Sequence, residues 1–234
     1  MTIEQNNPFA EGKMLLLDKS LDWTSFDVVA KIRSLIGIKK IGHAGTLDPL
    51  ATGLLIICTG KFTKKINEYM AQEKEYTGTF TLGATTPTYD LESEPENFKE
   101  YHTLTYERIT KTTKNFVGEI LQKPPAHSAV KVGGKPLYKS ARKGIEVKVE
   151  PRKVVVKDFQ ITKIEMPVVY FTIVCSTGTY IRSIANDFGE VLGCGAYLSS
   201  LRRTRIGEFH VKDALTIKEF AEKLHTGFYN HQKA

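Results

Sequence analysis

The chain carries two hydrophobic periodicities in an irregular order, and this order is the feature that most restricts its fold. Apolar residues recur at helical spacing in residues 25–36 and 180–192. In residues 76–82, apolar and polar side chains alternate instead, which is typical of a half-buried strand. Because strands and helices do not alternate regularly, we predict an α+β fold with a mixed, mostly antiparallel sheet flanked by helices. Three further successive strands are expected at residues 153–156, 159–164 and 168–175.

Short polar signals mark the ends of the predicted helices. Ser25 is in position to cap the first helix, and Gly37 is in position to end it in a left-handed conformation. Thr216 and Glu219 have the spacing of a capping box and predict a last helix near the end of the chain. The tail that follows is expected to fray.

The composition is that of an ordinary globular protein with an excess of positive charge. Of the 234 residues, 41% are hydrophobic and 25% are charged, which fits one large domain or two small ones. The formal net charge is +7, so a polyanionic partner is plausible. The first residues lack the basic and apolar regions of a signal peptide, and no apolar run is long enough to span a bilayer. We therefore expect a cytoplasmic protein without a membrane partner.

The cysteines favour neither disulfides nor a metal site. Cys58, Cys175 and Cys194 lie far apart in the sequence, and no CxxC pair occurs. We interpret them as small buried side chains in a reducing compartment. No His/Cys cluster has the spacing of metal ligands, so no metal or organic cofactor is expected.

The positive charge is concentrated in residues 123–157. This segment holds ten basic residues and two acids, Glu146 and Glu150, and it also contains four prolines and three glycines. One interpretation is a solvated basic face. The interpretation that we favour is an arm that grips phosphates, with Tyr138 available for stacking on a base.

Residues 39–53 contain the most unusual combination of residue types in the chain. Glycines and Pro49 predict a loop between the first helix and a buried strand at residues 54–58. Pro49 restricts Asp48, which precedes it, to extended conformations. A carboxylate on such a rigid loop suits a nucleophile or a base, but it equally suits an Asx-turn that binds neighbouring amides. The residue types alone leave both possibilities open.

The sequence GHAGTLDPLATGLL, residues 42–55, resembles the catalytic motif of the pseudouridine synthases, specifically of the TruB branch. Other motifs of that family are matched along roughly residues 14–209. They lie at residues 74–76, 82–86, 88–90, 122–125, 175–183 and 201–204. The resemblance implies the pseudouridine synthase fold with a basic tRNA-binding insertion, here residues 123–157.

The resemblance also implies roles for single residues. Asp48 matches the catalytic aspartate, Arg182 matches an arginine that pairs with it, and Tyr76 matches an aromatic residue that stacks on the target uracil. Six more residues are expected to bind the substrate. They are His43, which would wedge into the tRNA loop, Tyr180 at the nucleotide, Leu201 as an apolar wall, Thr46 in the catalytic motif, Lys19 in the first motif and Lys131 in the insertion.

Several of these residues have a simpler interpretation. Tyr76 begins an alternating strand and would also suit a hydrophobic core, and His43 would also suit an ordinary loop. Arg182 lies on an amphipathic helix, where it would also be stable in solvent. Leu201 is indistinguishable from any buried leucine.

The chain departs from the family pattern at two places. Ser20 and Asp22 replace the proline and glycine of the first motif, so this loop is expected to be less rigid. Longer family members continue into a PUA domain, whereas residues 1–234 are expected to form one catalytic domain without it.

The resemblance implies an isomerase that converts uridine-55 in the T-loop of elongator tRNAs to pseudouridine. Since nothing in the sequence suggests an obligate partner, we expect the protein to act as a monomer. Two alternatives remain. One is a tRNA-folding chaperone without catalytic activity, and the other is the catalytic subunit of an RNA-guided pseudouridylation complex.

Overall fold

A computed structural model describes residues 7–125, 128, 131–132, 134–137, 147 and 149–226. The chain divides into two compact units, one formed by residues 1–75 with 202–234 and the other by residues 76–201. The organisation of residues 1–234 as one catalytic domain stays a prediction, which this division into units does not test. The N-terminal residues 1–6, the tail 227–234, Tyr138 and most of the segment 126–148 lie outside the described residues.

The described residues form both helices and strands, as expected for an α+β fold. The helices are α1 (Pro8–Glu11), α2 (Ser25–Ile36), α3 (Ile66–Ala71), α4 (Tyr106–Thr112), α5 (Ile181–Leu192) and α6 (Ile217–His225). The strands are β1 (Met14–Lys19), β2 (Ile41–His43), β3 (Ala51–Thr59), β4 (Lys74–Leu82), β5 (Gly118–Gln122), β6 (Lys131–Val132), β7 (Lys135–Pro136), β8 (Arg152–Glu165), β9 (Val168–Cys175), β10 (Ala196–Ile206) and β11 (Phe209–His210). Short 3-10 helices occupy Gly60–Lys65, Thr113–Phe116 and Val211–Asp213.

In the first unit, β3 is the central strand. It pairs with β1 and β2 in antiparallel fashion, and the order continues to the part of β10 in this unit, with β11 on β10. Leu55 and Ile57 face a core made with α2 and α6, whereas Leu54 and Ile56 face a second core that includes Tyr69. Because both faces of β3 are covered, its sequence is a continuous apolar run rather than an alternating one.

In the second unit, the strand order is β10, β4, β9, β8 and β5. β5 pairs with β8, and β8 pairs with β9, both in antiparallel fashion. Helix α5 covers this sheet through Phe188, which contacts the rings of Phe80, Phe116 and Phe159 at centroid distances of 5.6 to 5.9 Å. The isolated bridges between Leu17 and Leu215 in the first unit and Asp90 and Leu198 in the second are parallel, so the sheet is mixed, as predicted.

The predicted first helix is present, but its cap is different. Thr24, not Ser25, is the N-cap, and it forms a capping box with Asp27. Ser25 lies inside the first turn because its hydroxyl is engaged by the Leu47 backbone instead. Gly37 ends the helix with φ +69°, as predicted.

One strand prediction and one loop prediction are also wrong in detail. Residues 153–156 and 159–164 belong to the single strand β8, because a register shift between Val156 and Asp158 interrupts the alternation without ending the strand. The predicted loop 39–53 contains β2 and the start of β3.

Several other local predictions agree with the structure. The strand at residues 76–82 lies within β4, and Tyr180 precedes α5, which Gly193 ends. Thr216 and Glu219 form the expected capping box, and all three cysteines are buried and free. Helices α2 and α5 have 12 residues each, and nowhere in the described ranges does a helix qualify as a membrane span.

Candidate active site

Asp48 lies half-buried on the turn between β2 and β3 in the first unit. The Ala51 amide donates to the Asp48 carbonyl at 3.0 Å and closes the turn. One residue before the aspartate, Leu47 is fixed by both backbone groups. Its amide donates to Ser25 Oγ at 2.9 Å, and Ser25 Oγ donates to its carbonyl at 3.1 Å. The backbone around Asp48 is therefore held from the first turn of α2.

Lys19, at the end of β1, holds the next residue of this loop. Its ammonium is fully buried and donates to the carbonyls of Ser20 at 3.0 Å, Trp23 at 2.5 Å and Pro49 at 3.2 Å. Burial lowers the pKa of Lys19 to about 8, while the carboxylates of Asp48 and Asp22 act in the opposite direction. Lys19 and Asp48 thus interact electrostatically, and substrate binding by Lys19 stays a prediction.

Asp22 explains how the departure from the family's first motif is accommodated. It has φ +62°, a left-handed conformation that glycine adopts easily and aspartate tolerates better than most residues. Its amide donates to the Pro49 carbonyl at 3.0 Å, the same carbonyl that Lys19 binds. The turn of residues 20–23 is therefore tied to the Asp48 loop.

Arg203, on β10, is a buried cation to which the sequence assigned no role. Its exposure is 1%, and it donates from Nε to the Leu54 carbonyl at 2.8 Å and from an Nη atom to the Gly45 carbonyl at 3.0 Å. Gly53 has φ +104°, and a Cβ there would lie 2.3 Å from the Arg203 carbonyl oxygen. Only glycine therefore fits between Arg203 and the loop.

His43 and Thr46 belong to the same loop region. His43 lies at the end of β2, where burial and the charge of Arg203 lower its pKa, and the Gly45 backbone opposes this shift. The imidazole is therefore neutral at neutral pH. Thr46 is exposed. The structure thus brings together Lys19, His43, Thr46 and Asp48 in the first unit.

In the second unit, Arg182 is the second residue of α5 and is only 4% exposed. Its Nε lies 3.4 Å from a carboxylate oxygen of buried Asp90, and an Nη atom donates to the Thr88 carbonyl at 3.2 Å. The alternative of a solvated Arg182 is therefore wrong. Its pairing with Asp48 stays a prediction.

Asp90 is the partner of Arg182 that the sequence did not reveal, although it falls inside a matched motif. The carboxylate accepts a hydrogen bond from the Glu92 amide at 3.0 Å. The hydroxyls of Thr86 and Thr88 donate to the Asp90 carbonyl at 2.7 and 3.2 Å. The acid is thus fixed independently of the arginine that it binds.

Three other predicted site residues lie in the second unit. Tyr76 is buried on β4, and Leu201 on β10 is half-buried. Tyr180 caps α5 through its backbone, because the side chain of buried Gln122 accepts from its amide at 2.7 Å and donates to its carbonyl at 3.0 Å. These positions are compatible with both the core and the substrate-binding interpretations.

The described part of the basic segment borders a cavity of about 250 Å³. Arg152 and Lys153 line it together with Tyr180 and Gly178, and Arg152 is exposed. Lys131 begins β6, but its side chain lies outside what the structure describes. In the described ranges, no three His, Cys, Asp or Glu side chains are grouped as metal ligands.

Comparison with known proteins places this geometry in a class. Residues 33–181 match the family described as TruB family pseudouridylate synthase, N-terminal domain, and residues 182–232 match the tRNA pseudouridylate synthase B C-terminal domain. The chain is 52% identical to the tRNA pseudouridine synthase B of Flavobacterium johnsoniae, over 92% of this chain and 97% of the relative. It is 47% identical to that of Phocaeicola vulgatus, over 92% and 94%.

Solved structures agree on the fold. The chain matches a Cbf5-Nop10-Gar1 complex with a TM-score of 0.75 and 29% identity, and an H/ACA RNP bound to a substrate RNA containing 2'-deoxyuridine with a TM-score of 0.71 and 26% identity. All of this chain is covered, but it spans only 60% and 59% of those two chains. The fold and the family matches define a pseudouridine synthase, an isomerase. Within that class, the chain belongs to the TruB family.

Proposed function

We propose that this enzyme converts a uridine of tRNA to pseudouridine, at position 55 of the T-loop, with Asp48 as its catalytic carboxylate. The names of the relatives support tRNA as the substrate, since both are tRNA pseudouridine synthases B. The observation that carries the role of Asp48 is its loop. A half-buried carboxylate lies on a turn fixed by Ser25, Lys19 and Arg203, within electrostatic reach of the Lys19 ammonium.

The reaction requires a carboxylate that is ionised and fixed. The base must leave C1′ of the ribose, rotate and reattach through carbon, and an ionised carboxylate can attack the sugar or the base or remove a proton from C2′. A neighbouring cation favours the charged form of a carboxyl group. Lys19 therefore supports an ionised Asp48, and the hydrogen bonds of the loop limit its motion.

The uridine must also leave the stack of the tRNA loop. Flipping a base costs a few kcal/mol, and stacking on an aromatic ring contributes about 1–3 kcal/mol. The family resemblance gives the stacking role to Tyr76 and the wedge to His43. The lowered pKa of His43 supports the wedge, because a neutral imidazole inserts between bases without desolvating a charge.

The remaining assignments follow the same resemblance. We assign to Arg182 the stabilisation of the ionised carboxylate, and to Tyr180, Leu201 and Thr46 contacts with the flipped nucleotide. The basic segment, including Lys131 and Arg152, would bind tRNA phosphates. The protein would act as a monomer and without a cofactor.

The test replaces Asp48 by Asn, which keeps the size of the side chain and removes its charge. Pseudouridine formation on an unmodified tRNA transcript should fall by about 1000-fold or more, while the Kd for that transcript changes by less than about threefold. Carbodiimide-adduct primer extension measures the product and maps its nucleotide. Asp213→Asn, an exposed acid of the same unit, is the matched control and should remain active.

The outcomes separate the candidate functions. Substantial activity of Asp48→Asn would remove Asp48 from the mechanism, and product at another uridine would overturn only position 55. Wild-type protein that binds tRNA but forms no product would indicate the chaperone. A requirement for a guide RNA would indicate the RNA-guided complex.

A further inference from the structure

Arg203 is a buried guanidinium without an acidic partner among the residues that the structure describes. Its exposure is 1%, and its hydrogen bonds go to the carbonyls of Leu54 and Gly45. A buried cation is costly unless its donors are satisfied, and an apolar side chain of similar size is often no less stabilising. The charge at this position therefore calls for an explanation other than stability of the fold.

The two acceptors of Arg203 bracket the candidate catalytic residue. Gly45 precedes Asp48 by three positions, and Leu54 follows it by six. The guanidinium is planar and its donors diverge in a fixed geometry, so the two carbonyls are held at a set separation. The close contact of the Arg203 backbone with Gly53 leaves no space for the loop to move toward β10.

Arg203 also adds charge to the interior around Asp48. Lys19 interacts electrostatically with both groups, since the charge of Asp48 raises the pKa of Lys19 and the charge of Arg203 lowers it. Arg203 has the same lowering effect on His43. Lys19 and His43 are thus both within the electrostatic range of the Arg203 guanidinium.

We propose that Arg203 is a positioning residue for the reaction. It fixes both ends of the loop that carries Asp48 and supplies a permanent positive charge beneath that loop. The inference rests on the proposed function, because it requires Asp48 to be the catalytic carboxylate.

The experiment compares Arg203→Met, Arg203→Lys and Arg203→Gln with Arg205→Met as the matched control. Arg205 lies two residues along β10 in the same unit and forms an ion pair with Glu73 at 2.9 Å. The measurements are the single-turnover rate of pseudouridine formation on a tRNA transcript at saturating enzyme, the Kd for the transcript, and thermal unfolding.

A small displacement of a catalytic group costs about 100-fold in rate. Arg203→Met should therefore lower the single-turnover rate by about 100-fold with the Kd within about threefold of wild type. Arg203→Lys should recover at least about tenfold of the loss, because an ammonium retains the charge and can bind one of the carbonyls. Arg205→Met should react within about threefold of wild type.

A folded Arg203→Met protein that reacts at the wild-type rate would overturn the proposal, as would a loss that appears entirely in the Kd. If Arg203→Met does not fold, the comparison of Lys with Gln decides. Arg203→Gln should react at least about tenfold more slowly than Arg203→Lys, and equal rates would refute the role of the charge. Activity of Asp48→Asn, measured alongside, would instead indicate failure of the proposed function.

Discussion

Each of the two units contains buried cationic side chains, but the groups that bind these cations differ between the units. In the first unit, Lys19 and Arg203 donate to backbone carbonyls on and around the Asp48 loop. In the second unit, Arg182 binds the carboxylate of Asp90 and the carbonyl of Thr88. A cation that binds carbonyls fixes the path of the backbone, whereas a cation that binds a carboxylate is itself oriented by a partner of opposite charge.

The difference predicts how each arrangement fails. Removal of a carboxylate from a buried pair leaves a guanidinium without its counter-charge, which is strongly destabilising. Removal of a cation that binds carbonyls leaves neutral acceptors, which are less costly but free to move. Loss of the acid in the second unit should therefore lower the free energy of unfolding. Loss of a cation in the first unit should instead let the Asp48 loop move.

The largest stability effect is expected for Asp90→Asn. This change removes the negative charge of Asp90 beside buried Arg182 and should lower the free energy of unfolding by about 3 kcal/mol. Urea denaturation measures the change, and single-turnover kinetics should show a loss of about tenfold or more, because Arg182 loses a charged group that orients it.

The matched control for Asp90→Asn is Glu119→Gln in the same unit. Glu119 pairs with Lys153 at 2.8 Å, but both side chains are exposed. Its replacement should change the free energy of unfolding by less than about 0.5 kcal/mol. Equal losses in the two variants would contradict the importance that we give to burial of the Arg182–Asp90 pair.

The next effect concerns pH and separates Lys19 from the two arginines. The pKa of Lys19 is about 8 in the folded protein, whereas its ordinary value is 10.5. Between these values the unfolded chain binds more protons than the folded one, so the stability contributed by Lys19 rises with pH. The free energy of unfolding of the wild type, relative to Lys19→Met, should therefore increase as the pH rises from about 8 to 10.

Lys163 provides the control for this pH dependence. It is exposed, and its pKa is raised by a hydrogen bond to Glu165. The difference between wild type and Lys163→Met should therefore not increase over the same range. A flat difference for Lys19→Met as well would mean that the Lys19 ammonium is better solvated than its three carbonyl contacts imply.

The buried cations Lys19, Arg182 and Arg203 also show what can be inferred from the sequence. The helices α2 and α5, the strand β4 and the capping box at Thr216 were predictable because periodicity and caps are local signals. The family and its class were predictable because the motif of residues 42–55 is long. The partner of Arg182 was not, since Asp90 lies far from it in sequence and only the fold brings them together. For the same reason Arg203 remained part of a motif without a role.

The smallest effect tests whether the left-handed backbone conformation of Asp22 determines the conformation of the turn beside the Asp48 loop. Asp22 adopts φ +62° while its amide binds the Pro49 carbonyl. Asp22→Gly should be as stable as wild type or more stable by about 0.5 kcal/mol, because relief of the left-handed strain is partly offset by the entropy of the unfolded glycine. Asp22→Ala should be less stable by about 1 kcal/mol, since alanine lacks the local hydrogen bonds that let aspartate adopt this conformation.

Asp22→Asn separates the effect of the charge from that of the backbone, because asparagine tolerates the same φ without the carboxylate that acts on Lys19. Urea denaturation ranks the four proteins, and an alanine variant as stable as the glycine variant would show that the turn relaxes and that Lys19 alone holds Pro49.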